Sequence, residues 1–305
     1  MRSDHWHLTE DVGDFLARAG DFLRSRPGPH VMQLTWAERV RMRGAEAFGT
    51  RAPVFGVLER AGEVRATFYH FPPRALGLSP LTPGQADSLA ARLAALGHPV
   101  STVSADHGTA TAFAGAWQRH TGAVPGLRAT RLRLYRLGAL TPPDPLPEGR
   151  ARVLGERDLE LVMSWCGAFA ETVGEAVPMN AGSWAGTRFA DKRHTLWETP
   201  DGTPVSIAGM NPMIGGQIQV DVVYTPARLR GRGYAGAVTA EVSRAALAAG
   251  AREVVLFADL SNPTSNALYR RLGYRALTDW AVYDFSRAAP GAGREGGGRA
   301  HRAVG

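Results

Sequence analysis

The stretch from Asp221 to Ala235, DVVYTPARLRGRGYA, carries residue types suited to gripping a polyanion. A β-rich run stops at Thr225-Pro226, a short loop follows, and glycines stand where a helix has to begin. A helix start leaves about four backbone N–H groups without partners and carries roughly half a positive charge. Gly231 and Gly233 let the main chain approach a ligand closely, and they tolerate positive φ. Ala235 keeps the first turn free of bulk, while Arg230 and Arg232 add charge at the mouth. Together these features make a cradle for a pyrophosphate.

Two other phosphate motifs fail here on context. The string Gly231-Arg232-Gly233-Tyr234-Ala235-Gly236 matches a bare G-x-G-x-x-G, the dinucleotide fingerprint. However, Pro226 to Arg230 lengthens the passage from strand to glycine, and Asp259 is the only acidic candidate for a ribose contact. A P-loop needs Gly-Lys-Ser/Thr, which does not follow.

The elements around this junction fall into two halves. Thr141 to Gly149, TPPDPLPEG, holds four prolines and reads as an extended linker between residues 1–140 and 150–286. Before it, a helix is expected over Thr9–Arg24, paired strands over Pro53–Leu58 and Val64–His70, and a helix over Pro83–Leu96. A strand over Val100–Ala105, a helix over Thr109–His120 and an alternating strand over Arg131–Leu137 complete that half. After the linker come a strand at Arg150–Leu154, a helix at Arg157–Val173 and a hairpin of Thr195–Thr199 with Val205–Met210. The rest reads as a strand at Gln217–Thr225, a helix at Arg232–Ala249 and a strand at Glu253–Ala258. A helix at Pro263–Arg271 and a closing strand at Trp280–Phe285 end the pattern. The similar order suggests one fold used twice. Residues 287–305 are Gly-rich, almost without large apolar groups, and are expected to be disordered.

Arg230-x-x-Gly233-x-Ala235 is followed, one helix and one strand later, by NPTSNALYRRLGY. In these two motifs, with Asn262, Asn266, Tyr269, Gly273 and Tyr274 carrying the second, the C-terminal half resembles the GCN5-related N-acetyltransferase superfamily. The resemblance covers Gly149 to Ser286 and is sharp from Asp221 to Tyr274. It implies an α/β (α+β) fold of tandem architecture, a mixed central sheet flanked by helices, with a degenerate N-terminal copy. It also implies acetyl-CoA as co-substrate. The backbone of Val223, Tyr224 and Thr225 would pair with the pantetheine arm, and amides from Arg230, Gly231, Arg232, Gly233, Tyr234, Ala235 and Gly236 would hold the pyrophosphate. Asn266, on the helix that Asn262 opens, would reach the pantetheine or phosphate side, and Tyr269 would protonate the leaving thiolate. The degenerate copy reads ALGLSPLTPGQADSLA at the matching junction, where Pro80 and Pro83 remove amide donors, so it is expected to bind no CoA.

The expected reaction transfers an acetyl group to a primary amine of a small molecule or peptide by direct attack in a ternary complex. A protonated amine with a pKa near 10 must first lose a proton, and a carboxylate or a water held by one can take it. Strand alternation puts Gln217, Gln219, Asp221, Val223 and Thr225 on one face. Gln219 stands where several members of the superfamily keep a glutamate. Asp221 is the first substitute as base and Glu198 the second, ahead of Glu171 and Glu175. The acceptor pocket is expected to draw on Glu175 to His194, including Met179, Asn180, Trp184, Phe189 and Asp191. A mycothiol-synthase-like tandem acyltransferase and a non-catalytic CoA-binding regulatory module remain rival readings.

Composition bounds the alternatives. Cys166 is the only cysteine, which excludes an internal disulfide and a thiolate metal cluster, and its apolar setting reads as core. His5 and His7 have no third partner at metal-ligand spacing, so no metal is expected. The net charge of +7 comes almost wholly from arginine, since Lys192 is the single lysine, and no basic run is interleaved with aromatics as a nucleic-acid surface requires. The opening residues lack a signal-peptide core, and no apolar run approaches the ~20 residues of a membrane span. A cytoplasmic protein without nucleic-acid or membrane partners is expected, with a homodimer left open.

Overall fold

The computed structural model describes residues 5–49, 51–175 and 182–286. The first half contains β1 (His5–Thr9), α1 (Val12–Ser25), α2 (Val31–Arg43), β2 (Val54–Arg60), β3 (Glu63–His70) and β4 (Leu76–Leu78). It continues with α3 (Pro83–Ala95), β5 (Thr102–Asp106), α4 (His107–Thr121), β6 (Val124–Leu127) and β7 (Leu132–Leu137). The second half contains β8 (Arg150–Val153), α5 (Leu159–Thr172), β9 (Arg193–Glu198), β10 (Pro204–Met210) and β11 (Gln217–Tyr224). It ends with α6 (Tyr234–Ala248), β12 (Glu253–Asp259), α7 (Pro263–Arg271) and β13 (Tyr274–Ser286). Met179, Asn180 and the tail beyond Ser286 lie outside the described residues.

The strands form one mixed sheet in the order β1-β2-β3-β4-β5-β13-β7-β12-β11-β10-β9-β8, with β6 added on β13. Two strands cross between the halves. β7, which precedes the linker, lies between β12 and the first part of β13, inside the second half's sheet. The last part of β13 lies between β5 and β6, inside the first half's sheet. Each half is therefore closed by a strand from the other. The cores follow: Tyr135 and Leu137 of β7 belong to the second half's core, and Ala281 of β13 to the first half's.

α2 was not legible in the sequence, and its packing shows why. Leu34, Ala37 and Val40 pack on the first half's core, while Val31 packs with Leu134 and Val255 of the other half's sheet. A helix covered on two sides has no clean polar face, so the single apolar stripe that marks an amphipathic helix is missing. The linker likewise lies against the second half rather than hanging free. Thr141 donates its N–H to Leu272 O at 3.1 Å, and Trp197 Nε1 donates to Glu148 O at 3.3 Å. No described helix is long and apolar enough to cross a membrane.

Candidate active site

β11 and β12 run parallel, but they pair only at Gln217↔Glu253, Ile218↔Val254 and Gln219↔Val255. β11 continues to Tyr224 and β12 to Asp259, so the two strands part and leave the edge of β11 open. A bulge accompanies the parting. Ile207↔Tyr224 and Gly209↔Asp221 enclose one more residue on β11 than on β10. Val222 takes φ +58° with its side chain buried, a conformation costing a β-branched residue about 1–3 kcal/mol. Val222 is held by packing with Val162, Cys166 and Leu196.

From the open edge the chain passes Pro226, makes a short 3₁₀ turn at Ala227–Leu229, and reaches the glycines. Arg230 Nε donates to Thr225 O at 3.0 Å, folding the loop back on its own strand. Gly231 and Gly233 have φ +77° and +83°, and Gly233 is the N-cap of α6 with no side chain capping the first turn. The amides there are left for an external acceptor. A Cβ at 231 would meet nothing within 4 Å, whereas one at 233 would come 3.6 Å from Pro147 of the linker. A Cβ at 236 would lie 3.2 Å from both Leu268 and Pro143, so glycine is what lets the linker and α7 close on α6. The linker thus walls one side of the loop and leaves the Gly231 side open. That open glycine turn, with Arg228, Arg230 and Arg232 exposed around it, fits a pyrophosphate.

Three tyrosines meet beside the splay. Tyr269 has ring centroids 6.3 Å from Tyr135 and 6.0 Å from Tyr274. Tyr135 donates to Asn266 Oδ1 at 2.8 Å, and Tyr274 shares a 2.7 Å hydrogen bond with Ser243. The Tyr269 hydroxyl has no hydrogen-bond partner among the described residues, nor is it a fully enclosed atom. Burial, together with Tyr274 and Asp221, pushes its phenol above the ordinary range, so it stays protonated.

Other expected residues are placed differently. Both Asn266 Nδ2 protons are spent on backbone carbonyls, Asp259 O at 2.6 Å and Asn262 O at 2.7 Å. With its oxygen also accepting from Tyr135, Asn266 ties β12, α7 and β7 together, and only a second lone pair on that oxygen is left for a ligand. Asn262 caps α7 by accepting from Ser265 N at 3.0 Å. Glu198 sits at the hairpin end of β9, where Arg152 holds it at 2.6 Å while also binding Asp158. The structure does not bring Glu198 to the splay.

Asp221 is at the splay, but it is bound by cations. Arg188 and Lys192 both pair with it, Lys192 Nζ at 3.1 Å. Burial alone would raise its carboxyl; the charges of Lys192 and Arg188 outweigh that and hold it well below the usual carboxylate range. A carboxylate so held is a weak proton acceptor. Glu175 is likewise paired with Arg188, at 2.8 Å. Lys192 is buried and also donates to Asn211, whose Nδ2 contacts Gln219 Oε1 at 3.3 Å. Lys192, Arg188 and Asn211 were missed by sequence reasoning; the available signal was a solitary lysine in a chain that otherwise uses arginine.

Cys166 is core, as expected. Burial pushes its thiol up to about 12, and burial with the Lys192 charge pushes the adjacent His194 imidazole, 3.8 Å away, down to about 4. A neutral thiol beside a neutral imidazole is no nucleophile pair. No group of His, Cys, Asp and Glu among the described residues is arranged to hold a metal.

A splayed parallel pair, a bulged strand and a glycine-opened helix define a class, and comparison with known proteins agrees. Residues 211–282 match the model of the FR47-like protein family. A GCN5-related N-acetyltransferase from Sphaerobacter thermophilus superposes with a TM-score of 0.58 at 20% identity, over 93% of this chain and 96% of the other. An acetyltransferase of the same family from Colwellia psychrerythraea gives 0.56 at 10% identity, over 92% and 99%. A tandem protein of this family from the clavulanic acid biosynthesis pathway gives 0.52 at 14%, over 94% and 100%. No curated protein matches. The chain has the tandem GCN5-related N-acetyltransferase fold, and the FR47-like match lies in its C-terminal half.

Proposed function

We propose that this protein is an N-acetyltransferase that moves the acetyl group of acetyl-CoA onto a primary amine of a small molecule or peptide. The carrying observation is the β11 edge, unpaired beyond Gln219 and leading directly into an uncapped helix start. Acetyl-CoA supplies an acyl group already activated as a thioester. The open backbone at Val223 orients the pantetheine arm, and amides from Gly231 to Gly236 hold the pyrophosphate. Tyr224 O, Thr225 O and Arg230 N, expected to join them, are already bonded to Ser206, Arg230 and Ala227.

Tyr269 holds the proton needed by the departing thiolate, and its burial keeps that proton in place across the neutral range. Asp221, ionised between Arg188 and Lys192, fixes the acceptor side of the cleft. With Asp221 and Glu175 both held by cations, the amine's proton leaves through water. The first half binds no CoA and serves as buttress and wall.

The test is thiol release from acetyl-CoA against a panel of amines, beside calorimetry with acetyl-CoA alone. Micromolar or tighter acetyl-CoA binding with amine-dependent thiol release supports the reading. Binding without turnover across the panel favours a CoA-binding regulatory module, and no binding removes both.

A further inference from the structure

α2 forms a wall between the first half and the acceptor side of the splay. Leu34, Ala37 and Val40 face the first half's core. Val31, Thr35, Arg39 and Arg43 stand on successive turns of the opposite side. Both ends of this row touch the second half: Val31 packs with Leu134 and Val255, and Arg43 pairs with Asp191. Thr35 and Arg39, between them, face the same way.

Neither of these two middle residues has a hydrogen-bond or ion-pair partner among the described residues. Thr35 is 6% exposed, and its Oγ1 makes no hydrogen bond. Arg39 makes no hydrogen bond or ion pair among the described residues; its guanidinium carbon sits 5.3 Å from the centre of the Trp36 ring. The charges acting on Arg39 are Asp191, Arg188, Arg43 and Asp221. Each of those anions is already matched: Asp191 by Arg43, and Asp221 by Arg188 and Lys192. A half-buried guanidinium with five donors and an enclosed hydroxyl with one are expensive to leave unpaired. They suit a group with several acceptor oxygens and a negative charge.

We propose that Thr35 and Arg39 bind an anionic group on the acceptor, a carboxylate or phosphate carried by the same molecule as the reacting amine. This rests on the acetyltransferase reading and narrows its substrate class from amines in general to zwitterionic amines. It also gives the first half a direct part in specificity, since α2 belongs to it.

Matched pairs of acceptors test the proposal: amino acids against their decarboxylated amines, and phosphoethanolamine against ethanolamine, with the intact protein. A preference in kcat/KM of about 10–100-fold for an anionic member is expected, the scale of a partly buried charge-assisted contact. The pair that shows it separates carboxylate from phosphate. Arg39→Met should abolish the preference through KM, Arg39→Lys should restore part of it, and acetyl-CoA affinity by calorimetry should stay unchanged in both. Thr35→Val should weaken the preference by a smaller factor. Equal or better turnover of the neutral members, or an undiminished preference in Arg39→Met, overturns the proposal. Absence of acetyl-CoA binding by wild type would instead sink the parent reading. In that case calorimetry with the amino acids and phosphoethanolamine alone decides this one, and no Arg39-dependent binding overturns it.

Discussion

The two halves each open a helix after a parallel strand of the sheet, and the openings are built to opposite ends. α3 begins with Thr82, whose hydroxyl accepts from Gln85 N at 3.3 Å while Gln85 Oε1 accepts from Thr82 N at 2.9 Å. Pro83 follows at the first helical position, with no N–H to offer. That start has satisfied itself. α6 begins with a left-handed Gly233, no side-chain cap and a second left-handed glycine two residues earlier. One start is closed by its own side chains and the other has no side-chain cap. The lesson is that a side-chain cap can supply the hydrogen bonds that a helix start would otherwise offer to a ligand. A cavity of about 430 Å³ lies beside the α3 start, lined by Pro83, His107, Thr111 and Arg119, with Arg119 paired to Asp87 and Thr111 to Tyr283.

The sharpest way to break this comparison is to place one charge at both openings. Gly233→Asp should weaken acetyl-CoA binding by at least ~100-fold, about 2.7 kcal/mol, because it places a negative charge and a side chain in the left-handed turn that opens the cradle. Gly84→Asp, in the first turn of α3, should leave acetyl-CoA affinity unchanged. Calorimetry on both variants settles it. If Gly84→Asp also weakened binding, the closed opening would not be closed.

Next in size is Tyr269→Phe, which removes the one hydroxyl of the tyrosine trio without a hydrogen-bond partner among the described residues. A fall in kcat of about 100-fold with unchanged acetyl-CoA affinity is expected for loss of a general acid. The pH profile carries the sign. Tyr269 must be protonated to act, and its folded pKa lies above the ordinary value near 10. Wild-type kcat/KM should therefore rise with pH as the amine deprotonates, with no alkaline fall below about pH 10. A fall near pH 8 would assign the acid to another group.

The C-terminal motifs were legible because their chemistry is local: a helix start, two glycines and a helix with Asn262 and Tyr269 at fixed spacing. The strand pattern of Arg131–Leu137 was legible too, but its placement was not. Nothing in an alternating strand says which sheet it joins, and β7 joins the other half's. The same long-range pairing decided Asn266. The resemblance sent Asn266 toward the cofactor, whereas Tyr135, from 131 residues away, donates to its oxygen. Asp221 was found by alternation, but its two cations, Arg188 and Lys192, come from the segment that leads into β9, two strands away in the sheet. Charges brought together by tertiary packing leave no period in the chain.

Tyr135→Phe tests that crossing between halves. It removes a buried hydrogen bond and leaves Asn266 Oδ1 unpaired, so a stability loss of about 1–3 kcal/mol is expected in chemical denaturation. Asn266 keeps its two backbone contacts, so acetyl-CoA affinity should change little. A large loss of affinity with unchanged stability would return Asn266 to the cofactor.

Thr82→Ala is the mildest probe and bears on the closed opening itself. Removing the cap hydroxyl frees Gln85 N and should cost about 1 kcal/mol of stability. The freed amide does not recreate a cradle, since Pro83 still lacks a donor and no left-handed glycine turns the chain before it. Calorimetry should accordingly find one acetyl-CoA site per chain in Thr82→Ala, as in wild type. A second site in the variant would mean that the cap alone had kept the ligand out.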